Sequence, residues 1–186
     1  MHIGIYEIER LLGSGGFAEV YLGHAHERSF AIKRLSSNSE PHSKTILSRE
    51  FDCLRSLNHP NIVSVDTFGT DAYYHYFSME YLSGFNGKVL AERLQRLPAN
   101  ERHRKIIKIG IQILDALEYI HSKEWIHLDI KPSNIMIESE QKSTLIDFGT
   151  VARTNKTTSK GLVGTPRYAS PEQLDGRMLD RRSDLF

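Results

Sequence analysis

Apolar and polar residues alternate along the first part of the chain in a way typical of strands. Over residues 6–35 the alternation, interrupted by a glycine-rich turn, predicts three antiparallel strands. Residues 61–68 and 73–82 have the same character and predict two more. Between these groups, apolar residues at helical spacing predict one amphipathic helix that ends before His59-Pro60; they are Ile46, Leu47, Phe51, Leu54 and Leu57.

After Pro98 the pattern changes to a helical one. Seven apolar residues, spaced as on one face of a buried helix, predict a long helix: Ile106, Ile107, Ile109, Ile113, Leu114, Leu117 and Ile120. The chain therefore has an α+β character, with a sheet and one helix followed by a mainly helical part. The boundary is expected near residues 82–87, which gives domains 1–82 and 83–186.

Composition narrows the possible partners and compartments. The 24 basic and 23 acidic residues leave a net charge of +1, which argues against a strongly basic nucleic-acid binder. The single cysteine, Cys53, cannot form an internal disulfide, so a reducing, cytoplasmic compartment is expected. Glu7, Glu9 and Arg10 interrupt the apolar residues of the N-terminus, unlike a signal peptide, and no segment of this chain is expected to span a membrane.

Chemically capable residues cluster in the second half of the chain. Residues 127–134 read His-Leu-Asp-Ile-Lys-Pro-Ser-Asn, and 147–149 read Asp-Phe-Gly. Two carboxylates, a lysine and an amide suit phosphoryl transfer, which requires metal binding, orientation of a hydroxyl and neutralisation of phosphate charge. Residues 13–20, Gly-Ser-Gly-Gly-Phe-Ala-Glu-Val, lie between two predicted strands, not between a strand and a helix as in a dinucleotide-binding fingerprint.

In this order, the motifs resemble those of eukaryotic-like (Hanks-type) serine/threonine protein kinases, and most of all the bacterial branch. The resemblance implies a bilobal fold, whose N-lobe has a five-stranded antiparallel sheet and one helix and whose C-lobe is partial and mainly helical. It also implies ATP and Mg²⁺ as cofactors and serine or threonine hydroxyls of proteins as acceptors.

The resemblance also assigns roles to individual residues. Asp129 would accept or orient the hydroxyl proton, and Lys131 would steady the γ-phosphate. Lys33, paired with Glu50, would contact the α- and β-phosphates. Mg²⁺ would be held by Asn134 and Asp147.

ATP itself would contact the glycine-rich segment, in which Ala18 replaces the third glycine, and a hinge with Met79 as gatekeeper. Alone, a glycine-rich hairpin is more often only a turn. The full expected set is Leu12, Gly13, Ser14, Gly15, Gly16, Phe17, Ala18, Val20, Ala31, Lys33, Met79, Glu80, Leu82 and Met136.

Two features depart from the family pattern. Leu128 replaces the arginine that would bind a phosphorylated activation loop, so we expect activity not to depend on phosphorylation of Thr154, Thr157, Thr158 or Ser159. Residues 164–172 resemble the end of that loop, and Thr165 favours serine/threonine substrates. Residues 179–186 look like the approach to the central C-lobe helix, with Asp184 as backbone anchor, so a fragment of a larger protein is expected, aggregation-prone if made alone.

Two other interpretations remain open. A catalytically silent pseudokinase would keep the fold as a binding module, although the principal catalytic residue types are all present. A small-molecule phosphotransferase would share His-x-Asp and a metal-binding aspartate, but Lys131 and residues 164–172 argue against it.

Overall fold

The computed structural model describes residues 1–36, 42–71, 74–139, 142–154 and 164–186. The chain forms two compact units. The first comprises residues 1–58 and 63–82, and the second comprises residues 59–62 and 83–186.

The first unit contains a six-stranded antiparallel sheet with the strand order β1-β2-β3-β4-β6-β5. Its strands are β1 (His2–Ile3), β2 (Tyr6–Ser14), β3 (Ala18–Ala25), β4 (Arg28–Leu35), β5 (Val65–Thr70) and β6 (His75–Glu80). The sequence predicted five strands and missed β1, since two residues are too few to show an alternating pattern. Ile3 is nevertheless fully buried, in a core cluster with Tyr6, Phe30, Ile32 and Tyr76.

One helix, α1 (Ser43–Arg55), packs against the sheet of the first unit. Its buried residues include Leu47, Phe51 and Leu54, as the helical spacing predicted, and also the charged Glu50. The Phe51 ring lies against Phe68 of β5 and Phe77 of β6, with ring centroids 5.4 and 5.9 Å apart. These aromatic contacts fix which face of α1 meets the sheet.

The second unit contains three α-helices among its described residues: α2 (Gly87–Leu94), α3 (Ala99–Ser122) and α4 (Pro171–Leu174). Its short strands form two small sheets, one with the order β10-β9-β7 and one pairing β11 with β8. They are β7 (Phe85–Asn86), β8 (Trp125–Ile126), β9 (Ile135–Ser139), β10 (Lys142–Leu145) and β11 (Ala152–Arg153). Among the described residues, no helix is both long and apolar enough to cross a bilayer.

The long helix α3 is buried mainly along its C-terminal half. Ile113, Leu117 and Ile120 are buried, as predicted. Ile106, Ile107 and Leu114 are 49%, 61% and 55% exposed, so the prediction that all seven apolar residues share one buried face is wrong. In a helix with 3.6 residues per turn, the seven residues spread over a wide arc of the surface, and the neighbouring strands and loops bury only part of that arc.

Candidate active site

Lys33 and Glu50 form a buried ion pair in the first unit. Lys33 lies on β4 and Glu50 on α1, and Lys33 Nζ donates to Glu50 Oε1 at 2.6 Å and to Oε2 at 2.8 Å. The two side chains are 9% and 1% exposed, whereas Asp52, another acidic residue of α1, is exposed. Because desolvation offsets much of the attraction in a buried pair, such a pair is weak evidence for stability and a better candidate for function.

The glycine-rich segment is the hairpin between β2 and β3. Gly13 is paired with Val20 across the hairpin, and Gly15 N–H donates to the Ala18 carbonyl at 2.8 Å. A Cβ atom added at Gly13 or Gly16 would meet nothing within 4 Å. The fold itself therefore does not require glycine at these two positions. Close approach of a ligand to the backbone would be a physical reason for having glycine there.

Several of the remaining nucleotide-binding candidates lie side by side on the sheet. Ala31 is paired with Met79, and Lys33 is paired with Val20. The Glu80 N–H donates to the Ser64 carbonyl at 3.0 Å and so is not available to an adenine edge. The others are Leu12, 37% exposed at the end of β2; Leu82, buried; and Met136, on β9 of the second unit.

In the second unit, Asp129 is the centre of a hydrogen-bonded cluster. Its Oδ1 accepts from the Thr165 N–H at 2.9 Å, and its Oδ2 accepts from Lys131 Nζ at 2.6 Å and from Asn134 Nδ2 at 3.1 Å. Lys131 Nζ also donates to Thr165 Oγ1 at 2.7 Å. Asp129 is only 7% exposed, so these donors orient a carboxylate that has lost most of its hydration.

The hairpin of β9 and β10 brings the two predicted metal ligands to one end. Asn134 immediately precedes β9. Ile146, the residue directly before Asp147, donates its N–H to the Asn134 carbonyl at 2.8 Å. Asp147 has the left-handed backbone angle φ +66°, which is uncommon for a residue other than glycine and clusters at functional sites.

The donor atoms at this end of the hairpin suit a hard cation such as Mg²⁺. Asn134 offers an amide oxygen and Asp147 a carboxylate, which are the ligand types that Mg²⁺ takes from proteins. Across the described ranges, no group of three or more His, Cys, Asp or Glu side chains could hold a metal ion. Mg²⁺ commonly takes only one or two ligands from a protein and completes its coordination shell with water and substrate phosphates.

Asp184 anchors the backbone that leads into Asp129. Its Oδ2 accepts from the His127 N–H at 2.8 Å and its Oδ1 accepts from the Leu128 N–H at 2.7 Å. His121 Nε2 lies 2.8 Å from the same Oδ2. His127 is fully buried with its ring edge against Phe148, and this burial lowers its pKa from 6.5 although the Asp184 carboxylate opposes the shift.

Comparison with known proteins decides the family. Residues 6–186 match the family described as "Protein kinase domain". The chain belongs to this family. The expected kinase fold class is therefore confirmed, with one strand more than predicted in the sheet.

Named kinases resemble this domain over nearly all of its length. A probable serine/threonine-protein kinase of Streptomyces coelicolor is 36% identical over 98% of the chain, and PrkC of Bacillus subtilis is 33% identical over 98%. Aurora kinase A-B of Xenopus laevis is 35% identical over 97%. The chain spans only 28%, 29% and 44% of the lengths of these three proteins.

Two further residues of this kinase domain bind the backbone of residues 127 and 128 and were missed from the sequence. Thr150 Oγ1 donates to the His127 carbonyl at 2.8 Å, and Gln173 Nε2 donates to the Leu128 carbonyl at 2.9 Å. The Ser170-x-x-Gln173 pattern is a capping-box signal and could have predicted the start of α4. Nothing in that local pattern indicates that the same glutamine reaches residue 128.

Of the four candidate phosphorylation sites, Thr157, Thr158 and Ser159 lie outside the described residues. Thr154 is described, and its hydroxyl donates to the Glu124 carbonyl at 3.1 Å. The neighbouring Arg153 donates to the Lys123 carbonyl at 2.9 Å, and its guanidinium lies 4.0 Å from the centroid of the Trp125 ring.

Proposed function

We propose that the protein carrying this domain is an ATP-dependent kinase that transfers the γ-phosphate to serine or threonine hydroxyls of protein substrates. The observation that carries the proposal is a cluster of hydrogen-bonded side chains around Asp129. In it, the oriented Asp129 carboxylate lies beside the ammonium group of Lys131, with Asn134 and Thr165 as further donors. The names of the relatives, serine/threonine-protein kinases, support the same acceptor class.

Each residue of the cluster has a separate proposed role. Asp129 orients the acceptor hydroxyl and accepts its proton, since both carboxylate oxygens are fixed by donors. Lys131 lies within 2.7 Å of both Asp129 and Thr165, so its charge is positioned to stabilise a phosphate transferred to a hydroxyl at Asp129. Thr165 fixes the direction of both side chains through its N–H and hydroxyl groups.

The nucleotide would be held by groups that the first unit presents. The hairpin leaves open space beside Gly13 and Gly16, so phosphate oxygens could approach its backbone there, and Lys33, held by Glu50, adds positive charge. Asn134 and Asp147 would hold Mg²⁺, which when bound neutralises charge on the phosphates. ATP as substrate and the reduced, buried thiol of Cys53 favour a cytoplasmic location.

Transfer of labelled phosphate from ATP to a generic basic protein tests this function. The full-length product of the gene is compared with its Asp129→Asn variant, which keeps the size of the side chain and removes the base. A loss of about 10²- to 10⁴-fold in kcat is expected, in the range of general-base catalysis. ATP binding without transfer by the wild type would instead indicate a pseudokinase, and transfer only to small alcohols would indicate a small-molecule phosphotransferase.

A further inference from the structure

The peptide group that joins Leu128 to Asp129 is held at both of its polar atoms. Its carbonyl accepts from Gln173 Nε2 at 2.9 Å, and its N–H faces His127 Nδ1 at 3.3 Å. Because a peptide group is planar, fixing both atoms fixes the orientation of the plane from which the Asp129 side chain departs. Leu128 itself has φ +67°, an unfavourable angle for a branched side chain, so the loop needs outside contacts to keep this conformation.

Gln173 is well placed to provide such a contact. It is 2% exposed, and its Oε1 accepts from the Ser170 N–H at 3.0 Å while its own N–H donates to Ser170 Oγ at 3.4 Å. With its amide oxygen occupied by this cap, Nε2 is directed at the Leu128 carbonyl. Gly164 closes on the same carbonyl, since a Cβ at that position would lie 2.4 Å from the Leu128 oxygen.

We propose that Gln173 is a positioning residue for Asp129. Its hydrogen bond to the Leu128 carbonyl holds the catalytic loop so that the Asp129 carboxylate meets Lys131, Asn134 and Thr165. The bond is made by a neutral amide, so it forms whether or not the protein is phosphorylated. This hydrogen bond links α4 to the proposed catalytic loop at Leu128, the position where the family usually has an arginine. The kinetic part of the inference rests on the proposed kinase function.

The sharpest test replaces the amide nitrogen alone. Gln173→Glu keeps the oxygen that accepts from Ser170 and places a second oxygen against the Leu128 carbonyl. We expect kcat to fall on the order of 10²-fold, the loss associated with a displacement of about 1 Å, with KM for ATP changed less than about threefold. Ser170→Ala is the matched control, because it removes only the hydroxyl that accepts from the Gln173 backbone N–H and leaves both hydrogen bonds of the Gln173 side-chain amide; its kcat should change less than about twofold.

The pH dependence of the variant separates positioning from general damage. A protonated carboxyl can donate to the Leu128 carbonyl, and burial beside a carbonyl raises the pKa of a carboxyl. The kcat of Gln173→Glu relative to wild type should therefore rise at least fivefold as the pH is lowered from 8 to 6. A merely destabilised protein would show no such recovery.

Amide hydrogen exchange gives a readout that does not depend on activity. In Gln173→Glu at pH 8, peptides covering residues 127–131 should exchange at least tenfold faster than in wild type, while peptides from α3 should not change. Unchanged exchange in the 127–131 peptides, or equal loss of kcat in Gln173→Glu and Ser170→Ala, would overturn the inference. If the wild type transfers no phosphate, the kinase proposal fails, and hydrogen exchange alone decides the role of Gln173.

Discussion

Asp184 anchors the buried backbone of His127 and Leu128, and its replacement by asparagine gives a measurable prediction. The carboxylate accepts from the N–H groups of His127 and Leu128 and lies beside His121. Asparagine has one acceptor oxygen and turns its NH₂ group toward one of the two backbone N–H groups. His127 and Leu128 are buried, at 0% and 3% exposure, so no solvent can replace the lost acceptor.

The magnitude follows from these contacts. One buried N–H without an acceptor costs about 1–3 kcal/mol, and the remaining bond loses the strength that the negative charge gave it, roughly another 1 kcal/mol. Asp184→Asn should therefore lower the free energy of unfolding by about 2–4 kcal/mol, a large part of the roughly 5–15 kcal/mol typical of a domain. The kcat should fall on the order of 10²-fold, because the displaced residues lead directly into Asp129.

The assay is urea unfolding followed by circular dichroism, together with phosphate transfer at saturating ATP. Asp180→Asn is the matched control: Asp180 accepts from the Arg182 N–H at 2.8 Å and pairs with the exposed Arg182 side chain, which lowers its pKa to about 2. Asparagine is about as good a helix N-cap as aspartate, so the Asp180→Asn variant should behave almost as wild type. Equal unfolding free energies for the Asp184→Asn and Asp180→Asn proteins would refute the anchor argument.

Three other outcomes are expected. Glu50→Gln leaves the Lys33 charge buried without its carboxylate and should cost about 3–5 kcal/mol and abolish transfer, whereas Lys33→Met with Glu50→Leu should recover stability in urea unfolding without activity. Alanine at all four candidate phosphorylation sites should leave turnover within about twofold, and a large loss in the transfer assay would contradict this; the sites are Thr154, Thr157, Thr158 and Ser159. Because burial lowers the pKa of His127, the unfolded chain binds the proton more tightly, so stability should be complete above pH 6.5 and fall below it. Denaturation midpoints between pH 5 and 7 should show a smaller decrease in His127→Phe than in wild type, and an equal decrease would assign the pH dependence to other groups.

The features that sequence predicted well are those with a strong local pattern. The spacing of Leu47, Phe51 and Leu54 gave the buried face of α1, and the family resemblance then gave the Lys33–Glu50 pair, which the structure brings within 2.6 Å. Strand β1 has only two residues, too few for any period to appear. On α3, hydrophobicity alone could not separate Ile113 from Ile107, because burial depends on which neighbouring elements cover each side of the helix.

The contacts missed from the sequence join residues far apart in the chain. Gln173 and Leu128 are 45 positions apart, and Thr150 and His127 are 23 apart. Side chains that bind backbone carbonyls leave no pattern of hydrophobicity or spacing, since any amide or hydroxyl can make such a bond once the fold brings it near. Asp184 was expected as an anchor only because it matches a family position.

Leu128 explains why a neutral contact is suited to the proposed catalytic loop, residues 127–134. Its side chain is 3% exposed and packs with Ile126 and Leu179, which are both fully buried, and with Ala152. An arginine in the same rotamer would bury an unpaired charge, so it would have to displace Leu179 or turn toward an anion. With leucine, the apolar cluster holds the side chain. Asp184 accepts from the Leu128 N–H and Gln173 donates to the Leu128 carbonyl, and none of these contacts requires a phosphate. The arrangement of the loop thus depends on apolar packing and on hydrogen bonds with Asp184 and Gln173, which is the physical basis for expecting activity without loop phosphorylation.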